Sequence, residues 1–229
     1  MTTPDAGLQP TGVRSTPVSS RRTWSPRRQE IFDRLQDLFL AEGFRHLTIA
    51  DLVDRLHCSR RTLYNLAPSR EELILIVVDR LMNNMGLEAN IKAAACDHPG
   101  EAIEAYLGTG VTTLRQAQSA FIEDLEAYGP TRHLYDRHLH VAITVIGKLI
   151  DDGISRGAFR PFHAPLIAEI LDAAVERIRR PEVLARAGVS MSQATNELSQ
   201  LIRHGLALVP ADGAEAPAAG TKRTDVRSA

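Results

Sequence analysis

TIADLVDRLHCSRRTLYN, running from Thr48 to Asn65, reads as two short helices joined by a tight turn, and that reading decides the fold. Thr48 is placed as the N-cap of the first helix, with Asp51 three residues on to complete a capping box and Leu47 and Leu52 set as a hydrophobic staple. Ile49, Leu52, Val53 and Leu56 then recur at i, i+3, i+4 and i+7, one apolar face over about two turns. His57 and Cys58 break the pattern. Ser59 is placed to cap the next helix, and Cys58 with Leu63 repeats the staple spacing. Two capped helices this close pack across each other at a steep angle, the helix-turn-helix arrangement.

On a wheel of about 100° per residue, Leu63 and Leu66 fall on one side of the second helix and Arg60, Arg61, Tyr64 and Asn65 on the other. An arginine fork matches O6 and N7 of guanine, an asparagine amide matches adenine, and a phenol donates to phosphate, so this face carries donors that a major groove accepts. No acid lies between Ser59 and Arg70. The plain alternative is a solvated helix face, the usual fate of charged residues.

Upstream, Ser25 and Pro26 suit an N-cap and first helical residue, and Ile31, Phe32, Leu35, Leu38 and Phe39 form the stripe of a helix that Gly43 ends. Residues 1–24 are rich in Thr, Ser, Pro and Gly without apolar periodicity, which predicts a disordered arm. Arg14, Arg21, Arg22, Arg27 and Arg28 lie in an acid-free run from residue 14 to 28, able to follow phosphates or serve only solubility.

Downstream, Ser69 and Glu72 mark a long helix reaching the Met82 to Ile91 region. Further helices are predicted from Pro99, from about Ala120 to Tyr128, from about Thr131 to Arg156 with Val141, Ala142, Val145, Ile146, Leu149 and Ile150 inward, through Leu166 to Ile178, and from Ser190 to Leu206. No strand alternation appears, so the chain reads as all-α, a three-helix head followed by a larger helical domain. The boundaries expected are 1–24 for the arm, 25–70 for the head, 71–208 for the helical domain and 209–229 for a disordered tail.

The 229 residues carry a net charge of −1, so a polyanionic partner is not announced globally and any positive footprint must be local. Between Pro26 and Arg70 eight arginines face six acids, a small excess. The two cysteines, Cys58 and Cys96, form no C-x-x-C pair and suggest burial, not a disulfide framework or zinc knuckle. No signal peptide or run of about 18 apolar residues is present, which makes a cytoplasmic protein without a membrane partner the expectation.

The run from Ser25 to Leu73 resembles the DNA-binding domain of the TetR (tetracycline repressor) family. Gly43-Phe44, Thr48-Ile49, the block Ser59-Arg60-Arg61-Thr62-Leu63-Tyr64 and Pro68-Ser69-Arg70-Glu71 carry the resemblance. Two positions depart from it: Leu66 and Ala67 stand where aromatic residues are usual, and His57 replaces the usual turn glycine. The resemblance implies a ligand-responsive regulator of transcription, a repressor, that binds a palindromic double-stranded operator as a homodimer. Ser59, Arg60, Arg61, Thr62, Tyr64 and Asn65 would contact DNA, with Thr48, Thr62 and Arg70 near phosphates. It further implies pairing through the last two helices, where Ala168, Ala173, Ala174 and Ala194 permit close approach, and a lever role for the helix after Ser69.

A small, mostly hydrophobic effector would sit among Met82, Met85, Tyr106, Phe121, Leu125, Tyr128, His138, Ala142, Val145 and Leu171, residues that would equally make an ordinary core. Of His133, His138 and His140 on one helix, His133 pairs in spacing with Asp136 while His138 and His140 point to different faces, so three or four ligands do not converge and no metal site or other cofactor is expected. Without a G-x-S-x-G, P-loop or H-E-x-x-H motif an enzyme is not expected either. The alternative function is a helical small-molecule-binding or protein-interaction dimer without specific DNA binding.

Overall fold

Local capping chemistry sets the start of the first four helices in the computed structural model, which describes residues 25–206. Expectations for the arm and for the tail fall outside those residues. Helix α1 (Pro26–Glu42) starts where Ser25 Oγ accepts from the Arg28 amide at 3.4 Å. It ends at Gly43, whose φ of +79° releases the chain while its amide still reaches the Phe39 carbonyl at 2.8 Å. Helix α2 (Ile49–Leu56) has the reciprocal box: Thr48 Oγ1 accepts from the Asp51 amide at 3.2 Å and Asp51 Oδ2 accepts from the Thr48 amide at 2.8 Å. His57 then takes the left-handed conformation, φ 49° and ψ 49°, so the turn position keeps its usual geometry without a glycine. Helix α3 (Arg60–Tyr64) is capped by Ser59, which accepts from the Thr62 amide at 3.1 Å.

Helix α4 (Arg70–Ala94) begins under a Ser69 cap and is 25 residues long, roughly 37 Å at about 1.5 Å per residue. Helices α5 (Pro99–Gln116), α6 (Ser119–Ala127), α7 (Gly129–Ser155), α8 (Ala164–Ile178), α9 (Pro181–Ala187) and α10 (Met191–Leu206) complete the described residues, among which no strand forms. Helix α5 packs on α4, α7 and α10, α8 lies on α7, and α6 bridges α1 and α7.

Two buried clusters result. The first gathers Phe32, Leu35, Phe39, Phe44, Leu52 and Leu63 of the head and continues through Leu73 to Met82 of α4 into Phe121, Leu125 and Leu134. Leu66 and Ala67, 8% and 3% exposed, belong to it, so the segment after α3 is anchored in the core without aromatic residues. The second lies within the body, around Ile103, Tyr106, Ile146, Ile150 and Leu171.

Two expectations change. Pro181 stops α8 as expected, yet it also opens the seven-residue α9, because a proline fits the first helical position. The inward stripe of α7 is Leu134, Ile143, Ile146 and Ile150, and Val141, expected inside, is exposed. The stretch around Val141 is apolar on several sides, so periodicity alone does not choose its buried face.

Candidate functional site

The outward face of α3 carries Arg60, Arg61, Tyr64 and Asn65, all exposed, with the Tyr64 ring 52% accessible although it is a large apolar group. Leu63 on the opposite side is buried and fastens the helix to the head. The neighbouring arginines are occupied. Arg27 pairs with Glu30 at 2.8 Å, Arg28 donates to the Leu66 carbonyl, Arg34 to the Leu56 and Arg55 carbonyls, Arg45 lies 4.0 Å from Asp124, and Arg55 pairs with Glu42. Arg60 and Arg61 form no hydrogen bond or ion pair with any described residue. The small charge excess of the head is therefore concentrated in two unengaged guanidinium groups on one exposed face.

The other residues expected at DNA hold positions of different kinds. Ser59 and Thr62 share a hydroxyl contact of 2.9 Å, which leaves one of the two protons to point elsewhere. Thr48 donates its hydroxyl proton to Asp51 at 2.7 Å. Arg70 turns its guanidinium inward, where Nε and Nη2 donate to the carbonyls of Leu47 at 2.5 Å, Phe44 at 2.8 Å and Arg45 at 2.7 Å while Nη1 lies 3.4 Å from Glu71, so it clamps the α1–α2 loop.

The body encloses a cavity of about 330 Å³ that opens beside Asn83, Leu87 and Asn90 of α4 and Val141 of α7, the exposed members of its wall. Met82, Met85, Tyr106, Phe121, Leu125, His138 and Ala142 line it. Tyr128, Val145 and Leu171 do not: Tyr128 packs on the head-side cluster, and Val145 and Leu171 belong to the body cluster. Sequence reading missed Tyr135, Leu139 and Ile143 of α7 and Leu107, Gly110 and Thr113 of α5, which shape the same space. Those residues read as one helix stripe each, and only the packing of α4, α5 and α7 shows that the stripes leave a gap.

His138 does not stand alone. Its Nε2 lies 2.9 Å from Asp79 Oδ1, and that hydrogen bond, ahead of the opposing effect of burial, holds the Asp79 carboxyl below the usual range. Arg137 reaches the same oxygen at 3.2 Å. His133 and His140 are exposed on other sides of α7. Among the described residues no three His, Cys, Asp or Glu side chains converge as metal ligands, and no helix is long and apolar enough to cross a membrane. Cys58 and Cys96 are half-buried and unpaired with each other, and burial pushes the Cys58 thiol up.

One contact ties the cavity wall to the head and another braces α6, α7 and α8 beside it, and sequence reading found neither. Asp124 of α6 accepts from the backbone amides of Phe44 at 2.6 Å and Arg45 at 2.8 Å, while Phe121 and Leu125 on the same helix line the cavity. Arg179, 5% exposed at the end of α8, pairs with Glu126 and Asp136 at 2.8 Å each and stacks 4.5 Å over the Tyr135 ring. Burial opposes the charge of Arg179, but the two carboxylates outweigh it and hold the proton more tightly than usual.

No protein-family model and no curated protein matches the sequence. Solved structures match the fold. The chain superposes on a protein from Saccharomonospora viridis, assigned as a transcriptional regulator and solved with choline, at a TM-score of 0.64 and 18% identity over 80% of this chain and 98% of that one. A TetR-family regulator from Agrobacterium tumefaciens gives 0.61 and 15% over 80% and 98%, and the ketosteroid transcriptional regulator of Mycobacterium tuberculosis gives 0.51 and 17% over 81% and 97%. The chain therefore has the all-α fold of TetR-family transcriptional regulators, a helix-turn-helix head joined to a larger helical body.

Proposed function

We propose that the chain is a ligand-responsive transcriptional regulator, a repressor, that binds a palindromic operator as a homodimer and is released by a small, mostly hydrophobic effector. The observation that carries the reading is the pair Arg60 and Arg61, unengaged on an exposed face with Tyr64 and Asn65 while the head's other arginines are bound within the protein. Within it, residues 25–70 serve as the reading head and 71–208 as the effector and pairing domain. The fold neighbours support regulation and make no case for an enzyme. A cytoplasmic location accords with contact with chromosomal DNA.

Pairing rests on unsatisfied apolar surface. Leu166 and Ile170 of α8 and Leu201 of α10 are 56%, 54% and 70% exposed in the single chain, and a two-fold four-helix packing buries such faces. Effector response rests on α6, which lines the cavity and holds the head through Asp124, and on α4, which runs from cavity to head. A ligand shifts this assembly only to the extent that it binds one head spacing more tightly than the other.

Selection of bound duplexes from a random pool tests the reading. The expected result is enrichment of an inverted repeat whose half-sites lie about 34–36 Å apart, or a multiple of that. A chain that stays dimeric and enriches no sequence would favour the ligand-binding or protein-interaction dimer instead.

A further inference from the structure

The cavity wall is unusual in what it lacks. None of its lining residues is Asp, Glu, Lys or Arg, and its one ionisable imidazole, His138, is already paired with Asp79. A ligand charge placed there would lose its water without gaining a counter-charge, a cost that pockets for ions offset with an opposite group.

The polar groups of the wall are also mostly committed. Asn83 donates to Asp79 at 3.0 Å, Asn90 to the Gly86 carbonyl at 2.7 Å, Thr113 to the Thr109 carbonyl at 3.2 Å and Thr195 to the Met191 carbonyl at 2.9 Å. Two phenols remain. Neither Tyr106 nor Tyr135 has a hydrogen bond from its hydroxyl to any described residue. Tyr135 lies under the Arg179 guanidinium, whereas Tyr106 is 7% exposed with no charged group on its ring. Burial raises both phenols above their ordinary range, which keeps them protonated donors near neutrality. Neither hydroxyl is sealed from solvent, and both residues line the cavity, so a ligand acceptor there can take the place of water as the partner.

We infer that the cavity takes an uncharged apolar molecule carrying one hydrogen-bond acceptor, an alcohol, ketone or ester, whose oxygen is held by the Tyr106 hydroxyl. This names the effector class for the regulator reading above and rests on it. The volume of about 330 Å³ sets the size. At the ~30 Å³ that a water molecule occupies in the liquid, it holds roughly a dozen non-hydrogen atoms. The open side between Leu87 and Val141, both apolar, admits an aliphatic chain without desolvating charge.

Calorimetric titration of the full chain at pH 7 with 1-decanol, decanoate and decylammonium tests it, because the three share a chain and differ in head-group charge. The expected result is binding of decanol at least about tenfold tighter than either ion, and a loss of about tenfold on Tyr106→Phe, the scale of one hydrogen bond. Gly110→Leu controls for location: a Cβ there meets nothing within 4 Å, and the larger side chain projects into the cavity and abolishes decanol binding. If either ion binds as tightly as decanol, the uncharged class is wrong and the cavity reading stands. If Tyr106→Phe binds decanol unchanged, the anchor is wrong. If none of the three binds, or Gly110→Leu binds as well as the native chain, the cavity is not the effector site and the effector half of the regulator reading falls with it.

Discussion

At the level of single residues, the molecule separates groups held for structure from groups left for recognition. Arg61→Ala is expected to cost roughly 1–3 kcal/mol in operator affinity and to relax preference at one base pair, measured by binding to single-base operator variants. A uniform loss across those variants would assign Arg61 to phosphate. Arg70→Ala acts on stability instead, since it frees the carbonyls of Leu47, Phe44 and Arg45, and a denaturant midpoint shift of about 1–3 kcal/mol is expected. Arg179→Ala leaves Glu126 and Asp136, both partly solvated, without their shared cation and is expected to destabilise by about 1–3 kcal/mol. Asp79 gives a pH dependence of known sign. Its folded pKa lies below the unfolded value of about 3.9, so its contribution is complete above that pH and is lost as pH falls through the folded value. Stability curves of the native chain and Asp79→Asn are therefore expected to differ near neutrality and to converge in acid.

Among the elements, those held by neighbours in sequence were legible and those set by distant partners were not. The caps of α2, α3, α4 and α10 at Thr48, Ser59, Ser69 and Ser190 involve residues three apart, and each forms as its spacing implies. The outward face of α3 was legible for the same reason, as one turn of a wheel anchored by Leu63. The Arg70 clamp spans up to 26 positions, the Arg179–Glu126 pair 53 and the Asp124 contacts with the head about 80, and no local pattern marks such partners. Gly43 shows both scales. The sequence marks it as a helix end, but only packing reveals that a Cβ there would lie 2.6 Å from Asp124 Oδ2, against the carboxylate that holds the loop. Gly43→Ala therefore combines a left-handed backbone with displacement of Asp124, and a loss of at least about 1–2 kcal/mol is expected by thermal unfolding. Gly153 is the second such position: a Cβ there collides with the Phe159 ring folded back on α7.

For the whole molecule, the proposal joins three surfaces: the reading face of α3, the cavity, and the apolar faces of α8 and α10. Ile170→Glu with Leu201→Glu places charge on the proposed pairing face, and light scattering is expected to report a monomer that no longer binds a full palindrome. A dimer that persists in that variant would place the interface elsewhere. The central claim is that two free guanidinium groups on α3 read DNA, and the most direct test is the salt dependence of operator affinity for the native chain and for an Arg60→Ala, Arg61→Ala double variant. The native affinity is expected to fall steeply and linearly on a log–log plot, with a shallower slope and a loss of discrimination between operator and random duplex in the variant. An unchanged affinity, slope and discrimination in the double variant would contradict the account.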